Sequence, residues 1–270
     1  RGKNYGDYRK ALTYYTAPAQ NFIFASNDKD IAITPNGKIP LKFKDQGKFI
    51  MDGSDPANDC QGWVPFAHNP AVKNPARGYL SSANQSSTDA SYPYYINWSF
   101  GPYERGKRIN ERLSGMQNAT VDSMRILQTD TYSISARDVL AIMMGYINVS
   151  KLDENQRQAL AILKSWNKRF DADQTGATIF NAWWLKFYGM VWNDEFDNNS
   201  LMLPSRDRTE QLLLKEPRSK WFDDIRTPAN ETCADMVNRS FIASVYELVH
   251  AHGKPGKNWR WRSEERRVGK

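Results

Sequence analysis

The chain has 270 residues and a formal net charge of +7, and it is long enough for one large domain or two smaller ones. No apolar run reaches the ~18 residues that a membrane-spanning helix requires. The charge excess lies at the ends, since residues 1–10 and 260–270 contribute +3 each and leave about +1 for the rest. A nucleic-acid surface needs a basic stripe within the fold. The composition therefore argues against a nucleic-acid partner and against a membrane span.

The first hundred residues predict short strands and long loops. A helix is expected to end near residue 16, and it is followed by a hairpin whose turn has the sequence SNDK at positions 26–29. Residues 35–74 are rich in Pro, Gly, Asp and Asn, which favours loop structure. The predicted strands are Asn21–Ala25, Asp30–Thr34 and Arg77–Ser81.

From residue 103 onward the apolar spacing becomes helical. The predicted helices are Glu104–Leu113, Val121–Gln128, Ser135–Asn148, Glu154–Trp166, Thr178–Trp192, Arg206–Leu214 and Ala229–His252. The aromatic residues of 178–192 recur at helical spacing, which is typical of a core helix. The sequence thus predicts an α+β fold, with a strand-and-loop part over residues 1–102 and a helical part over residues 103–258.

Three groups of residues could suggest a metal or redox site, and each favours a simpler interpretation. Cys60 and Cys233 are too few for a metal knuckle and predict two buried free thiols. His250 and His252 stand two apart on a helix, so they face different sides and complement its C-terminal dipole. Residues 52–59 lack the ligand spacing of an EF-hand loop and predict an Asp/Asn-rich turn. No metal site is predicted.

Two polar residues stand where they could stabilise developing charge. Asn84 follows the predicted strand 77–81, and its side-chain amide could donate N–H to an oxyanion. Arg105 lies at a predicted helix start. Each residue also has a simpler reading, because Asn84 could form a turn and Arg105 could be a solvated charge or a salt-bridge partner. The chain has no GxSxG elbow, P-loop or GxGxxG motif, so the nucleophile of such a site is not evident.

The order and spacing of several motifs carry a family resemblance. They are Gly62-Trp-Val-Pro-Phe66, Asn74-Pro-x-x-Gly78-Tyr-Leu with Ala83-Asn84, Gly101-Pro-Tyr-x-Arg105-x-x-x-Ile109, Trp166 and Asp171 with Asn181-Ala-Trp-Trp184, and Asn258-Trp259-Arg-Trp261. Together they resemble the penicillin acylase (penicillin amidase) family of N-terminal-nucleophile hydrolases. The resemblance covers roughly residues 15–261. It implies part of an αββα sandwich with short antiparallel strands, followed by a mostly helical region.

The resemblance also implies a mechanism and site residues. In such enzymes the precursor cleaves itself, and the exposed N-terminal Ser, Thr or Cys attacks an acyl amide to form an acyl-enzyme. Asn84 corresponds to the side-chain donor of the oxyanion hole, and Arg105 to the Arg that supports it. Gln20 and Phe22 correspond to substrate-binding positions at the acyl pocket. Gln20 stands where relatives with aromatic acyl pockets are apolar, which disfavours a phenylacetyl-type substrate.

The resemblance predicts that this chain is an internal fragment of the β-chain, with the nucleophile upstream of Arg1. The expected partners are a small-molecule N-acyl amide, the α-chain and the N-terminal part of the β-chain of the same precursor, and the fragment alone is expected to be inactive. Catalysis requires no cofactor, although the full-length parent could hold a structural calcium. A periplasmic or secreted location is the family expectation. Residues 259–270 end the match in a basic tail that looks foreign to the family.

Two alternatives remain open. One lies within the family and is an acyl-homoserine-lactone acylase. The other is a non-catalytic carbohydrate- or protein-binding module built on exposed aromatic residues. Burial of Trp183 and Trp184 in a core would count against such a module, whereas a solvent-facing aromatic row would support it.

Overall fold

The computed structural model describes residues 2–196 and 201–262. It divides into two compact units, Arg1–Val121 and Asp122–Lys270. The described residues form eight α-helices and three β-strands, which confirms the expected mixture of helix and strand. The proposed boundary at residue 102 stays a prediction. The basic tail lies outside the described residues from position 263 onward.

All three strands lie in the first unit. Its elements are α1 (Tyr5–Leu12), β1 (Gln20–Ala25), β2 (Ile31–Asn36), β3 (Val72–Lys73) and α2 (Tyr103–Ser114). At the boundary lies α3 (Val121–Gln128). The helices of the second unit are α4 (Ile134–Gly145), α5 (Glu154–Ser165), α6 (Thr175–Trp192), α7 (Arg206–Lys215) and α8 (Cys233–His252).

The three strands form one antiparallel sheet in the order β1-β2-β3. The predicted hairpin is confirmed, with Phe22 opposite Thr34. Its turn closes with the Ser26 N–H donating to the Asp30 carbonyl at 3.0 Å, and Lys29 takes a left-handed conformation with φ 65°. The sequence did not predict β3, because a two-residue strand has no periodicity to detect.

Helix α1 and Tyr15, which follows it, pack on one face of this sheet. The Phe22 ring meets the Tyr15 ring edge-on at 4.8 Å, and the Phe24 ring lies 5.1 Å from the Tyr8 ring. Thr34, which pairs with Phe22 and therefore shares its face, is completely buried. The residues that alternate with these, such as Ile23, point to the opposite face, where Ile23 is 61% exposed. The sheet of this unit therefore has one covered and one more open face.

The predicted strand at 77–81 is wrong. The Gly78 N–H donates to the Pro75 carbonyl at 2.8 Å, which closes a turn, and residues 79–81 belong to no strand. Gly78 has φ +74°, a left-handed conformation that interrupts a strand and that glycine adopts without steric cost. The Gly-Tyr-Leu sequence therefore serves as the exit of a turn.

The second unit is built around an aromatic core. Helices α6 and α8 pack against each other, and the Trp183 indole N–H donates to the Val237 carbonyl at 3.2 Å and to Ser240 Oγ at 3.1 Å. The predicted core helix is confirmed, because Trp183 and Trp184 are both completely buried. This burial counts against the alternative of an aromatic-rich binding module.

Helix boundaries follow capping chemistry more closely than apolar spacing. Helix α8 begins at Cys233, four residues later than predicted, because Thr232 and Asp235 form a capping box there. It ends before Gly253, as predicted, and Gly253 has φ +75°. None of the helices within residues 2–196 and 201–262 combines the length and apolarity needed to cross a membrane.

The two cysteines differ in exposure. Cys233 is buried, as predicted, and its burial raises the pKa of the thiol to about 12. Cys60 is exposed on a loop, with its thiol donating to the Gly62 carbonyl at 3.2 Å. The prediction of two buried thiols is therefore wrong for Cys60, because the loop that carries it has no core to bury it. Both thiols are free.

Candidate active site

Asn84 lies on a tight backbone contact between a loop and the start of α2. The Gly101 N–H donates to the Asn84 carbonyl at 2.7 Å. A Cβ placed on Gly101 would lie 2.7 Å from the Asn84 Cβ, which is closer than two such carbons can approach. Glycine at position 101 is therefore what allows the two segments to meet. Two residues further on, α2 begins and carries Arg105 on its first turn.

The backbone of Asn84 is left-handed, with φ 64°. Asparagine is one of the few residues that adopt this conformation at low cost. Asn84 is exposed, whereas its neighbour Ala83 is buried. The αL turn directs residue 84 outward, whereas residue 83 enters the interior. Exposure leaves the Asn84 side chain accessible to other molecules.

Arg105 fixes the orientation of the Asn84 amide. Its Nη2 donates a hydrogen bond to Asn84 Oδ1. A guanidinium can only donate, so the oxygen of the amide must face it and the NH₂ group must point away. Within the described part of the chain, Asn84 Nδ2 donates no hydrogen bond. The pair thus presents an amide N–H donor, polarised by a neighbouring cation, that has no partner within these residues.

The loop before Asn84 packs on the same helix turn. The Ala83 N–H donates to Gln85 Oε1 at 2.6 Å, and Gly106, which is buried, lies close to both residues. A Cβ added at position 106 would lie 3.6 Å from Gln85 Oε1 and 3.8 Å from the Ala83 Cβ, which is ordinary van der Waals contact. The 83–85 turn therefore packs closely on the turn of α2 that carries Arg105.

Asn21 is the residue of β1 that reaches the Asn84 loop, whereas Gln20 and Phe22 lie on the other side of the strand. Asn21 Nδ2 donates to Ser82 Oγ at 2.5 Å, whereas Phe22 packs on Tyr15 at the covered face of the sheet. Because side chains alternate along a strand, Gln20 shares the Phe22 face and Asn21 does not. The substrate-binding roles of Gln20 and Phe22 stay predictions.

The residues considered for metal binding are engaged in local structure. Asp52 Oδ1 accepts hydrogen bonds from the N–H and Oγ of Ser54, at 2.9 and 2.6 Å, so the predicted turn is present. His250 and His252 lie in the last turn of α8. Among residues 2–196 and 201–262, no three His, Cys, Asp or Glu side chains are grouped so that they could hold a metal ion. A structural calcium in the full-length parent stays a prediction.

Sequence reasoning identified Asn84 and Arg105 but missed two residues of their surroundings. Gly101 appears in the sequence only as part of a motif, and motif spacing does not indicate its contact with Asn84. The second residue is Asn110, whose Oδ1 binds Arg77 and Ser81 of the loop that leads to Asn84. Nothing in the local sequence marks an asparagine within an amphipathic helix as a contact residue, so no available signal could have found it.

The protein-family model for penicillin amidase matches residues 1–267. The chain therefore belongs to the penicillin amidase family. It is 23% identical to the acyl-homoserine lactone acylase QuiP of Pseudomonas syringae pv. syringae, over 89% of this chain and 31% of the relative. It is 27% identical to the penicillin acylase 2 proenzyme of a Pseudomonas species, over 54% of this chain and 18% of the relative. The chain thus spans about a third or less of the length of these relatives.

The fold agrees with this family. The thermostable penicillin G acylase from Alcaligenes faecalis superposes with a TM-score of 0.67, at 14% identity, over 93% of this chain and 50% of the other. The predicted fold class, part of the N-terminal-nucleophile hydrolase sandwich followed by a helical region, is confirmed. Members of the family are acylases and amidases, so this chain is part of a hydrolase family.

Proposed function

We propose that this chain is the oxyanion-stabilising part of the β-chain of an amidohydrolase that cleaves an N-acyl amide, with the N-terminal nucleophile lying upstream in the same precursor. One observation carries the proposal: the Asn84 amide is held by Arg105 so that its NH₂ group is left to donate. Family membership supports the reaction class. The relatives' names, acyl-homoserine lactone acylase and penicillin acylase, support an acyl amide as the bond that is cleaved.

The chemistry assigned to Asn84 follows from charge. When the nucleophile attacks the amide carbonyl carbon, its proton passes to the α-amine and the carbonyl oxygen becomes an oxyanion. The Asn84 N–H then donates to that oxygen. As the intermediate collapses, the C–N bond breaks, the protonated α-amine gives its proton to the leaving nitrogen, and water hydrolyses the acyl-enzyme that remains. A preorganised donor of this kind is worth ~10²–10³ in rate, or ~3–4 kcal/mol.

Arg105 acts through Asn84 and is therefore a positioning residue. Its hydrogen bond to Oδ1 excludes the flipped amide, in which an oxygen would face the oxyanion. The same bond draws electron density from the amide and strengthens its N–H as a donor, because hydrogen bonds in a chain polarise one another. The positive charge also lowers the energy of nearby negative charge.

The acyl group is proposed to be a long aliphatic chain, as in an acyl-homoserine lactone. Matches to QuiP proteins cover 89% to 97% of this chain, whereas the match to penicillin acylase 2 covers 54%. Gln20, at the edge of β1, also disfavours an aromatic acyl pocket. A phenylacetyl-type amide is the second candidate. Three further expectations stay predictions. They are a periplasmic location, inactivity of the isolated fragment, and a structural calcium in the full-length protein, for which no ligand is assigned among the described residues.

The proposal is tested with Asn84→Ala in the full-length enzyme, assayed on a long-chain N-acyl homoserine lactone and on a phenylacetyl amide. We expect kcat on the preferred substrate to fall by ~10²-fold or more, since one oxyanion donor is lost. Asn84→Asp keeps an acceptor for Arg105 and removes the donor, so it should be at least as inactive.

Asn118→Ala provides the matched control. Asn118 is also exposed and left-handed, with φ 50°, so its replacement by alanine imposes the same kind of backbone strain without touching the site. It should leave kcat within ~2-fold, because surface substitutions away from a site are nearly neutral. A near-wild-type kcat for Asn84→Ala would make Asn84 a turn residue and refute the proposal.

A further inference from the structure

Asn110 in α2 binds the loop that leads to Asn84 through its side chain. Asn110 Nδ2 donates to the Gly106 carbonyl at 2.7 Å, one turn earlier in the helix. Its Oδ1 accepts from Arg77 Nη1 at 3.2 Å and from Ser81 Oγ at 3.1 Å. The Tyr79 hydroxyl also donates to the Asn110 backbone carbonyl at 3.4 Å. Asn110 therefore has four hydrogen-bonding partners, one in its own helix and three in the segment 77–81.

The arrangement of this network follows from the asparagine amide. The bond to Gly106 occupies Nδ2 and turns Oδ1 toward the loop, where Arg77 and Ser81 can only be donors to it. Asparagine is a poor helix former because its side chain competes for backbone hydrogen bonds. In α2 the Asn110 side chain binds the Gly106 carbonyl of its own helix and also holds the segment 77–81.

The position of the network relates it to the site. Asn110 lies five residues after Arg105 on the same helix, and Ser81 lies three residues before Asn84 on the loop. The loop is also attached to the helix start by the Gly101–Asn84 backbone contact. Two attachments, one at each end of residues 81–84, therefore set how this segment approaches the helix that carries Arg105.

We propose that Asn110 is a positioning residue for the oxyanion donor, and that it acts by holding the 77–81 segment on α2 so that Asn84 meets Arg105. This inference rests on the proposed function. It assigns no contact with the substrate to Asn110, so the loss of Asn110 should change the rate of the chemical step and leave substrate binding nearly unchanged.

A double-mutant cycle in the full-length enzyme tests the inference. Asn110→Ala should lower kcat by ~10-fold with KM within ~2-fold, the pattern of a group that matters mainly in the transition state. In the Asn84→Ala background the same substitution should change kcat by less than ~2-fold, because residues that act through one another are not additive.

Asn238→Ala is the matched control. Asn238 also donates to the carbonyl one turn earlier, that of Ala234, at 2.7 Å, and accepts from the Asn148 N–H at 2.8 Å, but it lies in α8 of the other unit. Its removal should lower the unfolding temperature and leave kcat within ~2-fold in both backgrounds, since contacts that hold structure alone are independent of Asn84.

The outcomes separate the two proposals. An equal loss of kcat for Asn110→Ala with and without Asn84, or a loss confined to KM, overturns the inference and leaves the proposed function standing. A wild-type kcat for Asn84→Ala overturns the proposed function itself.

If Asn110→Ala does not fold, Ser81→Ala is the second variant, because it removes only one hydroxyl of the network. It should give ~2–5-fold lower kcat that vanishes in the Asn84→Ala background, and an additive loss again overturns the inference.

Discussion

The two units of this chain are stabilised in different ways. Among the described residues of the first unit, the buried apolar side chains are only Leu12, Ala32, Val64 and Ala83. Its loops are held by side-chain hydrogen bonds and by left-handed backbone at positions such as Asn84. The second unit is held by close packing of large aromatic residues of α6 against mostly apolar residues of α8. The candidate site lies in the unit that depends on polar contacts.

This difference has a functional consequence. Hydrogen bonds are directional, so a unit held by them can set the orientation of an amide to within a narrow range. Apolar packing is less directional but contributes more stability for each side chain. Substitutions in the second unit should therefore act on stability, and substitutions around Asn84 should act on catalysis.

The largest effect is expected for Trp183→Ala in the second unit. Trp183 is completely buried, and its ring meets Phe241 edge-on at 4.8 Å. Its removal should lower the free energy of unfolding of the 270-residue chain by ~3–5 kcal/mol, through lost burial and a cavity. Urea unfolding followed by circular dichroism gives the value. Tyr246→Ala, at a site on α8 that is 70% exposed, is the control, and an equal loss for both would contradict a packed core.

A smaller effect is expected for Gly101→Ala in the first unit. The added Cβ would lie 2.7 Å from the Asn84 Cβ, so the loop must shift at a cost of about 1–3 kcal/mol. We expect kcat of the full-length enzyme to fall by ~10-fold, since a small misplacement of a catalytic group is costly. Gly53→Ala is the matched control, because nothing lies within 4 Å of its added Cβ. If both variants keep the wild-type kcat, the contact does not position Asn84.

The smallest effect is expected for Glu195, an acidic residue in the second unit, whose titration should change stability with pH. Burial, together with the adjacent Asp194 carboxylate, raises the pKa of Glu195 from 4.5 to about 7. Between these values the unfolded chain has lost the proton that the folded chain keeps, so stability falls as pH rises from 4.5 to about 7. Glu195→Gln should therefore be more stable than wild type above pH 7, and the difference should shrink toward pH 5.

Thermal unfolding of both proteins between pH 5 and 8 checks this expectation. Glu154→Gln, at an exposed position in the first turn of α5, serves as the control and should show no gain that grows with pH. A Glu195→Gln gain that is the same at pH 5 and pH 8 would mean that the Glu195 carboxyl does not titrate in this window.

Much of the fold could be predicted from local sequence. The spacing of apolar residues located the eight helices of residues 2–196 and 201–262 to within a few residues, and α3 was predicted with its observed bounds. The SNDK turn with alternating residues on either side predicted the β1–β2 hairpin. Errors arose where backbone conformation overruled side-chain pattern. Residues 77–81 look like a strand, but the left-handed Gly78 makes the segment the exit of a turn.

The candidate site was predictable only in part. The sequence by itself determined that Asn84 and Arg105 are present in the right order, because motif spacing is a linear property. It also determined the helices and the hairpin, since periodicity, caps and turns act between near neighbours. Only the tertiary structure decided that Arg105 orients the Asn84 amide, that Gly101 admits the contact, and that Asn110 holds the loop. Those contacts join residues that are far apart in the chain, and no short-range pattern records such a pairing.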